Sequence, residues 1–81
     1  MKVVVIGTGK VGRTIVSLTR QEGHEVTIID KKADVIEDII DEYDVIGIVG
    51  NGASYDILKE AGVHNADLVV ATTNSDEVNI L

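Results

Sequence analysis

Two apolar periods alternate along the chain. β-branched runs of strand length give way to stretches in which apolar residues recur at helical spacing. Val3-Val4-Val5-Ile6 sits in the first run, which predicts a strand over residues 2–6. Val11, Ile15, Val16, Leu18 and Thr19 predict the inner stripe of a helix from Val11 to Glu22, stopped by Gly23 as a C′ glycine. Val26-Thr27-Ile28-Ile29 is a second strand. Val35, Ile36, Ile39 and Ile40 mark an amphipathic helix over Ala33 to Tyr43. A third strand follows from Val45 to Val49, then the turn Gly50-Asn51-Gly52 and a helix with Ser54 as N-cap that ends at Gly62. Leu68 to Thr72 is a fourth strand, and Asn74 or Ser75 opens a fourth helix. Strands that alternate with helices in this way predict a parallel sheet with right-handed crossovers. The expected architecture is α/β, a truncated Rossmann-type doubly wound sheet with strand order 3-2-1-4.

The junction of the first strand and first helix carries the candidate chemistry. Gly7-Thr8-Gly9-Lys10-Val11-Gly12 is Gly-x-Gly-x-x-Gly, placed between a strand and a helix, and Asp30 closes the second strand at the expected distance of about 20 residues. Each type has a physical task. Gly7 makes a tight turn, Gly9 lets backbone approach a pyrophosphate, and Gly12 lets the helix pack against the strand. The amides that open the helix face phosphates with the positive end of the helix dipole. Asp30 accepts hydrogen bonds from a ribose diol. A glycine triplet alone can serve a turn that binds nothing; the surrounding strand, helix, strand and acid make this one a nucleotide-site candidate. Lys31 and Lys32 could reach a 2′-phosphate, but Asp30 would repel it, so NAD is favoured over NADP.

Composition narrows the classes. With 81 residues there is room for one domain at most, and the formal net charge of −7 argues against nucleic acid or an anionic membrane surface as partner. Much of the acid, Glu37, Asp38, Asp41, Glu42 and Asp44, falls on one helix and its exit and reads as a solvated face. There is no Cys, which removes disulfides, thiolate metal sites and a cysteine nucleophile. The first strand starts at residue 2 and no apolar run is long enough to span a bilayer, so a cytoplasmic location is the expectation.

The last residues are the second informative stretch. Asn74 with Glu77 three residues on forms a capping-box pattern, and a helix that starts this way is expected to run longer. The chain therefore reads as a single partial dinucleotide-binding domain over residues 1–81, a fragment or an engineered minimal unit. On this reading strand four is an open apolar edge, and two copies are expected to meet along it or to exchange the final helix.

Several segments together resemble the N-terminal half of the potassium-transport nucleotide-binding family, also called KTN or RCK, which includes Trk-type regulatory subunits. They are residues 1–13, Glu22-Gly23-His24-Glu25-Val26 through Asp30, Gly50-Asn51-Gly52-Ala53-Ser54, Leu58 to Val63, and Ala66 to Asn79. The glycine motif is generic; the Ala66 to Asn79 tail is the more specific part. The resemblance implies a regulatory module, not an enzyme, that binds NAD(H) or, in some members, ATP or ADP, and passes the ligand state to a membrane potassium channel or transporter. AMP shares the same adenosine-phosphate half. Carried over by position, Gly7, Thr8, Gly9, Lys10, Val11 and Gly12 form the pyrophosphate turn, and Asp30 and Lys31 flank the adenosine ribose. Asn51, Gly52 and Ala53 sit beside the adenine, and Thr72, Thr73 and Asn74 approach the phosphates and distal ribose. The family usually has an acid where this chain has Asn51; the amide can donate to and accept from the adenine edge. Placed beside a transporter, the module would be peripheral to the membrane.

The remaining polar residues have plainer readings. His24 and His64 lack the spacing of a catalytic or metal site, Ser54 is a cap, and Tyr43 and Tyr55 cover the rim of the core. Arg13 either touches phosphate or faces solvent. Two other classes stay open on the residues alone: the cofactor half of an NAD-dependent oxidoreductase, and a scaffold that binds no ligand.

Overall fold

The computed structural model describes residues 1–72 and 78–81, without the side chains of Val78 and Asn79. Strand β1 (Lys2–Ile6) leads into helix α1 (Lys10–Gln21), strand β2 (Glu25–Asp30) into α2 (Ala33–Glu42), and β3 (Ile46–Val49) into α3 (Tyr55–Glu60). A 3-10 turn, Val63–Asn65, precedes β4 (Leu68–Thr72), and β5 (Val78–Ile80) follows. The sheet runs β3-β2-β1-β4-β5. Its first four strands are parallel in the expected order 3-2-1-4.

Successive strand side chains point to opposite faces, so a β-branched run can feed two cores at once. Val3, Val5, Val26 and Ile28 pack with Val16 of α1 and with Ile36 and Ile39 of α2 on one face. Val4, Ile29 and Val69 pack with Ala61 on the other, under α3 and the 3-10 turn. Tyr43 lies against the rim of the first cluster as expected. Tyr55 is exposed and meets the His64 ring edge-on, with centroids 6.4 Å apart.

Four expectations need correction. Leu18 is 57% exposed: at about 100° per residue it points roughly 200° away from buried Val16, and Gly12 takes the inward place instead. Val78–Ile80, expected inside a fourth helix, is a strand. It pairs antiparallel with β4, Val70 opposite Ile80 and Thr72 opposite Val78. Strand β4 is therefore paired on both sides, with β1 and β5, and offers no open edge to a second copy. The proposed cap of that helix, Asn74 with Glu77, lies outside the described residues. Finally, Ser54 occupies the N-cap position of α3 but its side chain makes no capping bond.

Candidate nucleotide-binding site

The carboxyl ends of β1, β2 and β3 open on one cleft of about 480 Å3, within the range of small-molecule sites. It lies where ligands bind in open α/β sheets, outside the strand ends. Strand β2 is the spine of this region. Its Ile29 carbonyl accepts from the Gly7 amide at 2.8 Å and its Asp30 carbonyl accepts from the Gly50 amide at 2.8 Å, so both glycine turns hang from it.

The three glycines of the first turn are there for different reasons. Gly7 has φ +93°, and a Cβ would stand 2.6 Å from Thr72 Oγ1 and 2.7 Å from the Thr72 carbonyl oxygen, so both conformation and space demand glycine. A Cβ on Gly12 would run into the Gly7 carbonyl oxygen. Gly9 is unlike both. Its φ is −68°, which any residue adopts, and a Cβ there would meet nothing within 4 Å. Nothing among the described residues requires glycine at this position, yet Gly9 lines the cleft. The space it leaves opens on the cleft.

Gly9 is also the N-cap of α1, and no side chain caps that helix. The first-turn amides of an α-helix have no intrahelical acceptor, so they remain available to an anion. The first turn carries no acid that would compete.

Asp30 is held tightly at the opposite wall. Its Oδ2 accepts from the Thr8 amide at 3.0 Å and from the Thr8 hydroxyl at 2.7 Å, and its Oδ1 accepts from the Lys32 amide at 2.9 Å. Partial burial pushes the carboxyl pKa up. The Lys32 amide, the Thr8 hydroxyl and amide, and the Lys32 charge outweigh it and hold Asp30 below the ordinary carboxylate value. Asp30 is thus a fixed anion.

The chain matches the TrkA-N domain family over residues 3–81. It belongs to that family. The TrkA-N chain is 39% identical over 80 residues to the Trk system potassium uptake protein TrkA of Vibrio alginolyticus, covering 99% of this chain and 18% of that protein. It is 41% identical over 81 residues to a TrkA homolog of Methanothermobacter thermautotrophicus, all of this chain and 38% of that protein. The chain therefore spans well under half the length of these relatives. In fold it is similar to a solved Kef CTD of Shewanella denitrificans in AMP-bound form, with a TM-score of 0.73 and 25% identity over 85% of this chain and 40% of that one.

Of the residues the sequence singled out in this TrkA-N chain, Gly7, Thr8, Gly9, Asp30, Lys31, Gly52 and Thr72 line the cleft together. Lys10, Val11, Gly12, Asn51 and Ala53 are not among its lining residues. Gly12 is buried beneath Gly7. Ala53 faces a second, more apolar hollow bounded by Leu58, Val63 and Val69. Asn51 Oδ1 accepts from the Ala53 amide at 2.9 Å. The Thr72 hydroxyl donates to the Ile6 carbonyl at 3.2 Å and ties β4 to the end of β1. Thr73 and Asn74 lie outside the described residues.

Sequence reasoning passed over Val35, Gly50, Ile6 and Ile29 in the lining. A signal for them existed. Ile6 and Ile29 sit at the carboxyl ends of predicted strands, and Val35 is in the first turn of the helix after Asp30.

Proposed function

We propose that the chain is the adenine-nucleotide-binding module of a potassium-transport regulator and has no catalytic step of its own. The observation that carries this reading is Gly9. Its side of the cleft is kept open by a glycine that neither backbone conformation nor packing among the described residues requires. The uncapped start of α1 supplies amides for a phosphate at the same place, and ionised Asp30 accepts from a ribose. The TrkA-N relatives are named potassium uptake proteins, and the Kef CTD similar in fold is AMP-bound, which supports the nucleotide and the physiological setting. Within that reading NAD+ or NADH is the expected ligand, with AMP, ADP and ATP as alternatives that share its adenosine-phosphate half.

The histidines support a binding role over a catalytic one. His24 Nδ1 contacts the Met1 nitrogen at 3.0 Å and His64 packs against Tyr55; neither lines the cleft. No helix among the described residues is long and apolar enough to cross a membrane. The module would act from the cytoplasm on a membrane transporter or channel subunit, as a partial domain within a dimeric regulator.

Isothermal titration with NAD+, NADH, AMP, ADP and ATP, beside Asp30→Ala, tests the reading. Saturable binding that Asp30→Ala weakens at least tenfold is expected, because hydrogen bonds to a charged group contribute about 1.5–3 kcal/mol. Wild-type affinity in the variant, or no binding of any nucleotide to the folded protein, would refute it.

A further inference from the structure

Thr8 is a residue whose environment the nucleotide site alone does not explain. Thr8 is only 4% exposed although it belongs to a turn on the cleft wall. A hydroxyl this buried needs a partner, and the partner it has is the carboxylate of Asp30, the one carboxylate among the described residues of the cleft, 22 residues away, at 2.7 Å. The Thr8 amide donates to the same Oδ2. Thr8 therefore grips Asp30 through two donors, while Lys32 holds Oδ1 from the other side.

The donors can be counted against the acceptors. An ionised carboxylate offers about four lone-pair positions. Among the described residues three are taken by protein donors, two from Thr8 and one from Lys32. One is left. A ribose diol presents two hydroxyls, and an ungripped carboxylate could accept both.

We propose that Thr8 is a positioning residue for Asp30: its buried hydroxyl fixes the carboxylate so that a single acceptor position faces the cleft, and the site reads one ribose hydroxyl of its nucleotide. The inference deepens the nucleotide reading above and rests on it for the ribose. The grip on Asp30 stands apart from that reading, because it is made by the protein alone. Loss of the Thr8 hydroxyl removes one of the interactions that keep Asp30 ionised, so the acid limb of any Asp30-dependent property moves to higher pH.

Two measurements on wild type, Thr8→Val and Thr8→Ser test it. The first is the Asp30 carboxyl titration followed by carbon NMR without ligand. The midpoint is expected to rise in Thr8→Val and to return to the wild-type value in Thr8→Ser. An unchanged midpoint in Thr8→Val overturns the grip, whether or not nucleotide binds. The second is titration with AMP, 2′-deoxy-AMP and 3′-deoxy-AMP. In wild type and Thr8→Ser, one deoxy analogue is expected to bind at least tenfold more weakly than AMP and the other within about threefold, since a charged hydrogen bond is lost in only one case. In Thr8→Val the two analogues are expected to converge. Equal losses for both analogues in wild type overturn the single-hydroxyl reading. A raised Thr8→Val midpoint in a protein that binds no nucleotide leaves the grip standing and overturns the nucleotide function instead. Should Thr8→Val not fold, Thr8→Ala removes the same hydroxyl without adding a methyl group, and the same expectations apply.

Discussion

The chain contains two Gly-x-Gly turns at strand ends, Gly7-Thr8-Gly9 after β1 and Gly50-Asn51-Gly52 after β3, and they do different things. Both are tethered to β2 by a backbone hydrogen bond of 2.8 Å. Both lead to helices without a side-chain cap. In the second turn each glycine is accounted for by packing. A Cβ at Gly50 would meet Ile57 Cδ1 at 2.6 Å, and one at Gly52 would collide with Ile6 Cγ2. The Asn51 side-chain carbonyl is committed to the Ala53 amide within the turn itself. In the first turn, Gly7 has a packing reason but Gly9 has none among the described residues, and the turn residue Thr8 reaches across to Asp30. The helices differ too: α1 has 12 residues and α3 has 6. Only the longer one develops several turns of aligned peptide dipoles behind its first amides. A glycine thus acquires its meaning from what a Cβ in its place would meet.

This contrast can be broken by substitution. The largest effect is expected for Gly12→Ala, where the added methyl meets backbone, the Gly7 carbonyl, and neither element can yield easily. A loss on the order of 3 kcal/mol is expected by denaturant unfolding, at the upper end for overpacking. In a domain of this size that is a large share of the total stability. Gly52→Ala meets a side chain instead, Ile6, which can change rotamer. Thermal or denaturant unfolding should show a smaller loss, roughly 1–2 kcal/mol. Asn51→Ala removes the acceptor for the Ala53 amide in an exposed turn, and about 0.5–1.5 kcal/mol is expected, with the cleft otherwise intact.

A pH dependence sharpens the same contrast. The folded pKa of Asp30 lies below its ordinary value, so its contribution to stability is present above the ordinary carboxylate range. It is lost as pH falls through the depressed folded value. The stability gap between wild type and Asp30→Asn should therefore close in acid and be full at neutral pH. A gap that stays constant down to strongly acidic pH would show that the Thr8–Asp30 contact contributes nothing through charge.

Much of the fold was legible because its signals are local. β-branched runs, helical stripes and stop glycines each depend on neighbours a few positions away, and they yield the first four strands, the three helices and the order 3-2-1-4. What escaped was decided at a distance. Val78-Asn79-Ile80 is too short for its period to tell helix from strand, and the preceding Asn74 and Glu77 resemble a helix start. Pairing with β4 settles it as a strand. Ile40 reads as part of the inner stripe and is 41% exposed, yet it still bears on the sheet, where the missing side chain of Gly47 makes room for its Cδ1. In the site, the glycines and Asp30 were visible from motif spacing. The Thr8 grip on Asp30 was not, since a contact across 22 residues leaves no periodic trace. The use of Asn51 by its own turn was readable in principle, because Asn side chains commonly accept from the amide two residues on.

The most direct test of the account is calorimetric titration of AMP into wild type and Gly9→Ala, with thermal unfolding of both. The substitution suits the backbone at φ −68° and meets no atom of the described residues, so stability should change by no more than about 1 kcal/mol, cap preference and backbone entropy opposing each other. AMP affinity should fall at least tenfold, because the methyl group occupies the approach of the phosphate. Undiminished AMP binding by a folded Gly9→Ala protein would contradict the claim that this glycine is kept open for a ligand.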